Sequence, residues 1–282
     1  MTPDNIILEA LSEDIGDGDH TTLATIAGDA VGRGKLLAKE EGIICGIDLA
    51  VRIFHSIDPK LRLEVFKRDG DPVVPGDIVF NVEGSRASML QAERLALNFM
   101  QRLSGIATAT RRAAGMLEGL KTRILDTRKT TPLLRELEKY AVRTGGGFNH
   151  RMGLYDMIMI KDNHVDFCGG IVPAIEAVHR YLQLTGKTLK IEIEVRNFKE
   201  LAQALEHGRV DRIMLDNFTP EDLREAVRLI GGRFETEASG GITEDTLRRY
   251  AETGVDFISM GALTHHIKSL DLSLKADIVP TD

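Results

Sequence analysis

Residues 189–230 read LKIEIEVRNFKELAQALEHGRVDRIMLDNFTPEDLREAVRLI. Two short apolar runs, 189–195 and 212–215, are each followed by a stretch with helical spacing, 198–207 and 220–230. Buried strand, helix and buried strand again is the repeating unit of a parallel sheet covered by helices. The alternation extends in both directions. Further strands are expected at 123–126, 157–160, 234–238 and 257–260, and further helices near 132–143, 171–184, 243–253 and 262–268. Six βα units are too few for an eight-unit barrel. They suit a closed or nearly closed variant, and a doubly wound open sheet also accommodates them.

Upstream of Gly119 the texture differs. A short helix at 4–12 leads into an acidic, Gly-rich run at 13–19, and residues 32–84 are strand-like with turn punctuation and one helix at 48–56. Val74-Pro75-Gly76-Asp77 is a turn, because Pro presets φ and Gly accepts a positive one. Residues 88–117 switch to helical spacing, broken near Ser104-Gly105. The tail at 270–274 alternates again and is expected to return as a strand to the first domain. The expected organisation is an α+β domain over 1–118, joined by the tail 269–282, and an α/β domain over 119–268.

Apolar residues make up 43% and charged residues 28% of the 282, a mixture that builds a buried core and excludes disorder and coiled coil. A net charge of −7 argues against general binding to nucleic acid or an anionic membrane, and 5% aromatics without Trp argues against a base-stacking platform. Cys45 and Cys168 suit neither a disulfide framework nor a zinc site. The opening residues are acidic, unlike a signal or transit peptide, and no apolar run reaches the roughly 20 residues of a spanning helix. The expectation is a soluble cytoplasmic protein. Charge is uneven, however: residues 93–164 hold 13 Lys/Arg against 7 Asp/Glu, which suits a local pocket for a small polyanion. Glu136, Glu138 and Lys139 read as a solvated helix face.

In a barrel of this kind the chemistry collects where strands end. Those positions hold Asp126-Thr127-Arg128-Lys129, Lys161, the alternating Glu192 and Glu194, Asp216-Asn217, Ser239-Gly240-Gly241, and Met260-Gly261-Ala262, with His150 and Arg151 in the loop before the second strand. The two glycine turns lead toward helices and read as phosphate sites, since bare backbone and helix N-termini offer free N–H groups. Arg128, Lys129, His150, Arg151 and Lys161 suit a substrate with two carboxylates beside a polyphosphate. Glu194 and Asp216 suit ribose hydroxyls and Mg²⁺, or internal salt bridges, and Glu192 has no role beyond sharing their face. His55, His179 and His207 read as surface residues, Met157, Met159 and Met214 as core, and His265-His266 lacks a third zinc ligand. A carrier-like β module around 71–84 would need an acceptor Lys at a hairpin tip, a setting that Lys67 lacks.

Several longer motifs carry a resemblance: ERLALNF (93–99), QRLSGIAT (101–108), LDTRKTTP (125–132), GGGFNHRMG (145–153), IKDNH (160–164), LDN (215–217), EASGGI (237–242) and GALTH (261–265). Together they resemble quinolinate phosphoribosyltransferase, in order along nearly the whole chain. The resemblance implies an N-terminal α+β open sandwich, an incomplete α/β barrel of six to seven strands, and a homodimer with active sites at the subunit interface. It implies conversion of quinolinate and phosphoribosyl pyrophosphate to nicotinate mononucleotide, pyrophosphate and CO₂, with Mg²⁺ and no organic cofactor. By the matching motifs, Arg128, His150 and Arg151 hold quinolinate, and Arg102 reaches in from the partner. Lys129 and Lys161 lie between quinolinate and pyrophosphate, and Glu194 and Asp216 hold the ribose and Mg²⁺. The turns at Ser239-Gly240-Gly241 and Met260-Gly261-Ala262 take the 5′-phosphate, and Thr127 completes the binding set. One departure is Leu133, where relatives often carry Gly.

Overall fold

The computed structural model describes residues 2–277, so the last five residues of the expected tail lie outside the described residues. The chain forms two compact units. Of the described residues, the first comprises 2–111, 131–146 and 266–277, and the second 112–130 and 147–265.

The first unit opens with α1 (Pro3–Ile15) and α2 (His20–Thr25), followed by β1 (Val31–Ala38), β2 (Gly42–Ile43), α3 (Ile47–Ile57), β3 (Arg62–Val65), β4 (Pro72–Val73), β5 (Ile78–Ser85) and the long α4 (Arg86–Met116). Asp19, in the acidic run, caps α2 by accepting from the Thr22 N–H at 3.0 Å, so that run starts a helix. β1 and β5 pair antiparallel, and Phe54 of α3 meets Phe80 of β5 edge to face with ring centroids 5.9 Å apart. Contrary to expectation, α4 is continuous through Ser104-Gly105. Gly105 is there for a close approach: a Cβ would lie 2.3 Å from the Lys268 carbonyl oxygen.

The second unit alternates strand and helix. Its strands are β6 (Arg123–Leu125), β7 (Ile158–Ile160), β8 (Ile191–Val195), β9 (Arg212–Asp216), β10 (Glu235–Ser239) and β11 (Phe257–Ser259). They form one parallel sheet in the order β6-β11-β10-β9-β8-β7. From β7 to β11 the strands follow one another in chain order, and the last, β11, lies beside the first, β6. Among the described residues no ladder joins β6 to β7. Phe148 instead bridges to the free edge of β6, donating to Ile124 O at 2.9 Å and accepting from Asp126 N at 3.1 Å.

Helices α5 (Arg135–Thr144), α6 (Asp162–Cys168), α7 (Ile171–Thr185), α8 (Phe198–His207), α9 (Pro220–Ile230), α10 (Glu244–Ala251) and α11 (Ala262–His265) separate or follow these strands. Finally β12 (Leu272–Ala276) pairs antiparallel with β1, as the alternating tail suggested. The division differs from the expected 1–118 and 119–268, because α5 belongs to the first unit. Its Glu138 accepts from Arg102, its Tyr140 hydroxyl donates to Asp69 at 2.7 Å, and Gly145 abuts Ala107 and Thr110. Glu138 and Lys139 are consequently buried rather than solvated. The three helix histidines are also more engaged than expected. His55 and His179 each bond a backbone carbonyl, and His207 lies 3.2 Å from Glu176.

Candidate active site

Because the sheet is parallel, all six strands deliver their C-terminal ends to one side, and a cavity of about 350 Å³ opens there. Thr127, Arg128, Lys129, His150, Arg151, Lys161 and Ser239 line it, together with Met159, Met214, Glu237 and Ser259. Seven residues singled out in the sequence are thus brought together. Met159 and Met214 face the cavity instead of serving only as core.

The turn after β6 is shaped by its own side chains. Lys129 N donates to Thr127 Oγ1 at 3.0 Å, and Lys129 O accepts from Thr264 Oγ1 at 2.7 Å, which presents Arg128 and Lys129 outward. Asp126, fully buried, pins the second loop by accepting from His150 N at 2.8 Å and Asn149 Nδ2 at 2.5 Å. Arg151 donates to Met157 O at 3.2 Å. Burial, and then the positive charge of Arg128, hold its guanidinium below the usual Arg range. Two guanidinium groups that repel each other beside a cavity form a receptor for an anion.

Carboxylates gather beneath these cations. Glu194 is buried and accepts from Lys161 Nζ at 3.0 Å. Asp216 has its carboxyl pushed up by burial and by the Glu194 charge. Glu192 and Glu237, both 0% exposed, lie 3.0 and 3.3 Å from His150 Nε2. Arg212 Nη1 donates to Glu237 at 2.9 Å, and its guanidinium stacks 4.1 Å from the Phe257 ring centroid. Burial and then the Glu237 charge push Glu192 up to about 7. Burial alone would lower His150, but hydrogen bonds and charge from the two glutamates outweigh it and raise the ring to about 9. His150 Nδ1 faces Arg151 N at 2.7 Å, and Nε2 faces the two glutamates. His150 therefore reaches the cavity wall with both ring nitrogens directed at protein groups.

The glycine turns differ in detail from expectation. Gly240 (φ +100°) would place a Cβ 2.3 Å from Asn217 Oδ1, so only glycine fits. Helix α10, however, begins at Glu244 after Thr243 and carries Glu244 and Asp245 in its first turn, while α11 has only four residues. Any phosphate here would rest on bare turn amides rather than on a helix terminus. Gly261 lets the Lys129 side chain pass, its Cδ lying 2.9 Å from where a Cβ would be. Met260 is buried with its N–H on Leu125 O at 2.9 Å, and Ala262 and Gly241 are exposed. Arg102, in the first unit, pairs with Glu138 at 2.6 Å and donates to Thr131 Oγ1 at 2.7 Å. Sequence reasoning gave Glu237 and Arg212 no role. The signal was present: a charge in the middle of an otherwise apolar strand must be paired.

Residues 19–104 match the family described as quinolinate phosphoribosyl transferase, N-terminal domain, and residues 106–275 match its C-terminal domain. The chain is 47% identical over 287 residues to the chloroplastic nicotinate-nucleotide pyrophosphorylase [carboxylating] of Oryza sativa, covering 96% of this chain and 77% of the relative. It is 45% identical over 262 residues to the probable enzyme of that name from Bacillus subtilis, covering 93% and 89%. The structure of nicotinate-nucleotide pyrophosphorylase from Francisella tularensis superposes with a TM-score of 0.89 at 40% identity, covering 98% and 96%. By both domain matches and these relatives, this chain belongs to the quinolinate phosphoribosyltransferase family.

Proposed function

We infer that this chain transfers the phosphoribosyl group of phosphoribosyl pyrophosphate to quinolinate with loss of CO₂, giving nicotinate mononucleotide for NAD synthesis. The observation that carries the site reading is the convergence of Arg128, Lys129, Arg151 and Lys161 on one cavity. Arg128 and Arg151 take the quinolinate carboxylates, since guanidinium forks match them with paired hydrogen bonds. Lys129 and Lys161 neutralise the departing pyrophosphate. The ring nitrogen forms a bond to ribose C1 as the C1–O bond to pyrophosphate breaks. The C2–carboxylate bond then breaks, CO₂ leaves, and C2 takes a proton; the alkylated, positive nitrogen is the electron sink. The chain's own work is to hold two anions in register and exclude water.

Glu194 and Asp216 hold the ribose hydroxyls and Mg²⁺. The raised Asp216 carboxyl beside Glu194 is a like-charge pair that a hard, oxygen-seeking cation relieves. Mg²⁺ would supply charge neutralisation of the leaving group. Ser239, Gly240 and Gly241, with Met260, Gly261 and Ala262, receive the 5′-phosphate on turn amides, and Thr127 shapes the approach. The consecutive strand order, with β11 beside β6 and Phe148 at the open seam, supports an incomplete barrel of six to seven strands. The antiparallel sheet of β12, β1, β5 and β3 with α3 supports the open-sandwich reading of the first unit.

The active form is a homodimer in which Arg102 completes the partner's site, a reading supported by its membership of the unit that does not carry the cavity. No helix among the described residues is long and apolar enough to cross a membrane. Two free cysteines, Cys45 and Cys168, support a cytoplasmic setting. Incubating the protein with quinolinate, phosphoribosyl pyrophosphate and Mg²⁺ should release CO₂ and nicotinate mononucleotide together. Pyrophosphate release without either product would overturn the assignment.

A further inference from the structure

The second unit contains a buried charge cluster that the transfer reaction does not use directly. Glu192 comes from β8, Arg212 from β9 and Glu237 from β10, three neighbouring strands. Both glutamates are fully buried, and neither Glu192 oxygen accepts a well-directed hydrogen bond despite the 3.0 Å approach of His150 Nε2. Burying an incompletely paired carboxylate costs several kcal/mol, and a packed core would place Leu or Val there instead. The ring that the two glutamates flank leads directly to the anion receptor.

The chain of contacts is short. Glu192 and Glu237 flank Nε2 of His150 at 3.0 and 3.3 Å, and its Nδ1 faces the Arg151 N–H at 2.7 Å. Asp126 holds the backbone N–H of His150 from the other side at 2.8 Å. The Arg151 N–H is thereby held by the ring, and the residue before it by a buried carboxylate, so its guanidinium starts from a fixed point. We propose that Glu192 and Glu237 are positioning residues for dicarboxylate recognition, acting through the His150 ring to aim Arg151. The proposal rests on the reading that Arg128 and Arg151 receive quinolinate. Arg212, bonded to Glu237 at 2.9 Å and to Glu235 at 3.0 Å, supplies the balancing charge and keeps Glu237 in place. His150, Glu192 and Glu237 also offer three ligand atoms within 4.8 Å of one another. The Arg212 guanidinium on Glu237 opposes a second cation there, which makes the cluster an orienting device instead of a metal centre.

Two glutamate variants and one spectrum test this. Glu192→Leu keeps the bulk and removes the acceptor; Glu192→Gln keeps an acceptor oxygen and removes the charge. The quinolinate KM of Glu192→Leu should rise about ten- to hundredfold, the loss of a charge-assisted contact. Its phosphoribosyl pyrophosphate KM should stay within about twofold. Glu192→Gln, which keeps the shape and an acceptor but not the charge, should recover only part of the quinolinate KM, whereas a mere packing role would be rescued in full. In wild-type protein with ¹⁵N-labelled histidine, the His150 signal, assigned by its loss in His150→Asn, should show the proton on Nε2. A wild-type quinolinate KM in Glu192→Leu, alongside a raised one in Arg151→Ala, would overturn the proposal and leave the substrate site standing. An unchanged KM in Arg151→Ala would remove the site reading itself. If Glu192→Leu does not fold, the spectrum and Glu192→Gln decide: a ring without a proton on Nε2, a wild-type quinolinate KM in Glu192→Gln, or stoichiometric Zn²⁺ uptake by the purified protein each contradicts the proposal.

Discussion

Arg128 and Arg151 face the same cavity, and the charge of one depresses the proton affinity of the other. A dicarboxylate relieves that repulsion, so each guanidinium should contribute about 1.5–3 kcal/mol to its binding. Replacing either with Ala should therefore raise the quinolinate KM by one to two orders of magnitude, with a smaller change for phosphoribosyl pyrophosphate; steady-state kinetics in both substrates would show it. These residues were legible because positive charge at the end of a buried strand has few structural uses. The His150–Glu192–Glu237 cluster was not legible, because which ring nitrogen faces which carboxylate depends on three strands and a loop meeting in space. Glu138 misled for a related reason. Its helix has an ordinary polar sequence, and only the packing of α5 buries Glu138 against Arg102.

At the level of elements, the parallel sheet is tied together at its other end by Asp256, just before β11. Its carboxylate accepts from Thr236 N at 2.9 Å, Thr236 Oγ1 at 2.7 Å and Lys121 Nζ at 2.8 Å, linking β10 to the approach to β6. Burial pushes the Asp256 carboxyl up, but Lys121 and the Thr236 donors outweigh it and hold it below the usual range. A lowered carboxyl adds stability above its ordinary pKa and surrenders it as pH falls through the folded value. Asp256→Asn should lose about 1–2 kcal/mol at neutral pH, mostly from the Thr236 bonds, since the exposed Lys121 pair is screened. Its melting temperature should also fall less steeply than wild type between about pH 5 and 3. The strands of this unit and most of its helices followed from periodicity, α10 within one residue of its expected start; the short α6 did not. The element misread because of a distant partner is α4, which continues through Gly105 where another backbone passes.

For the whole molecule, the proposed dimer makes a quantitative claim. Arg102→Ala and Lys161→Ala should each be nearly inactive when pure. Refolded together in equal amounts, they should recover about a quarter of wild-type activity, because half the dimers are hybrids with one intact site. No recovery at all would place Arg102 in the service of its own chain.

The return of β12 to β1 has a bearing on how the chain is made. The first unit is assembled from three separated stretches, and its sheet gains an edge strand only from residues 272–276. The segments that bear the cation-lined cavity are complete by residue 265. During synthesis at the ribosome, the unit begun first is finished last, and a nascent chain stalled before residue 272 has every segment of its cavity-bearing unit while the β1 edge of its amino-terminal sheet is still exposed.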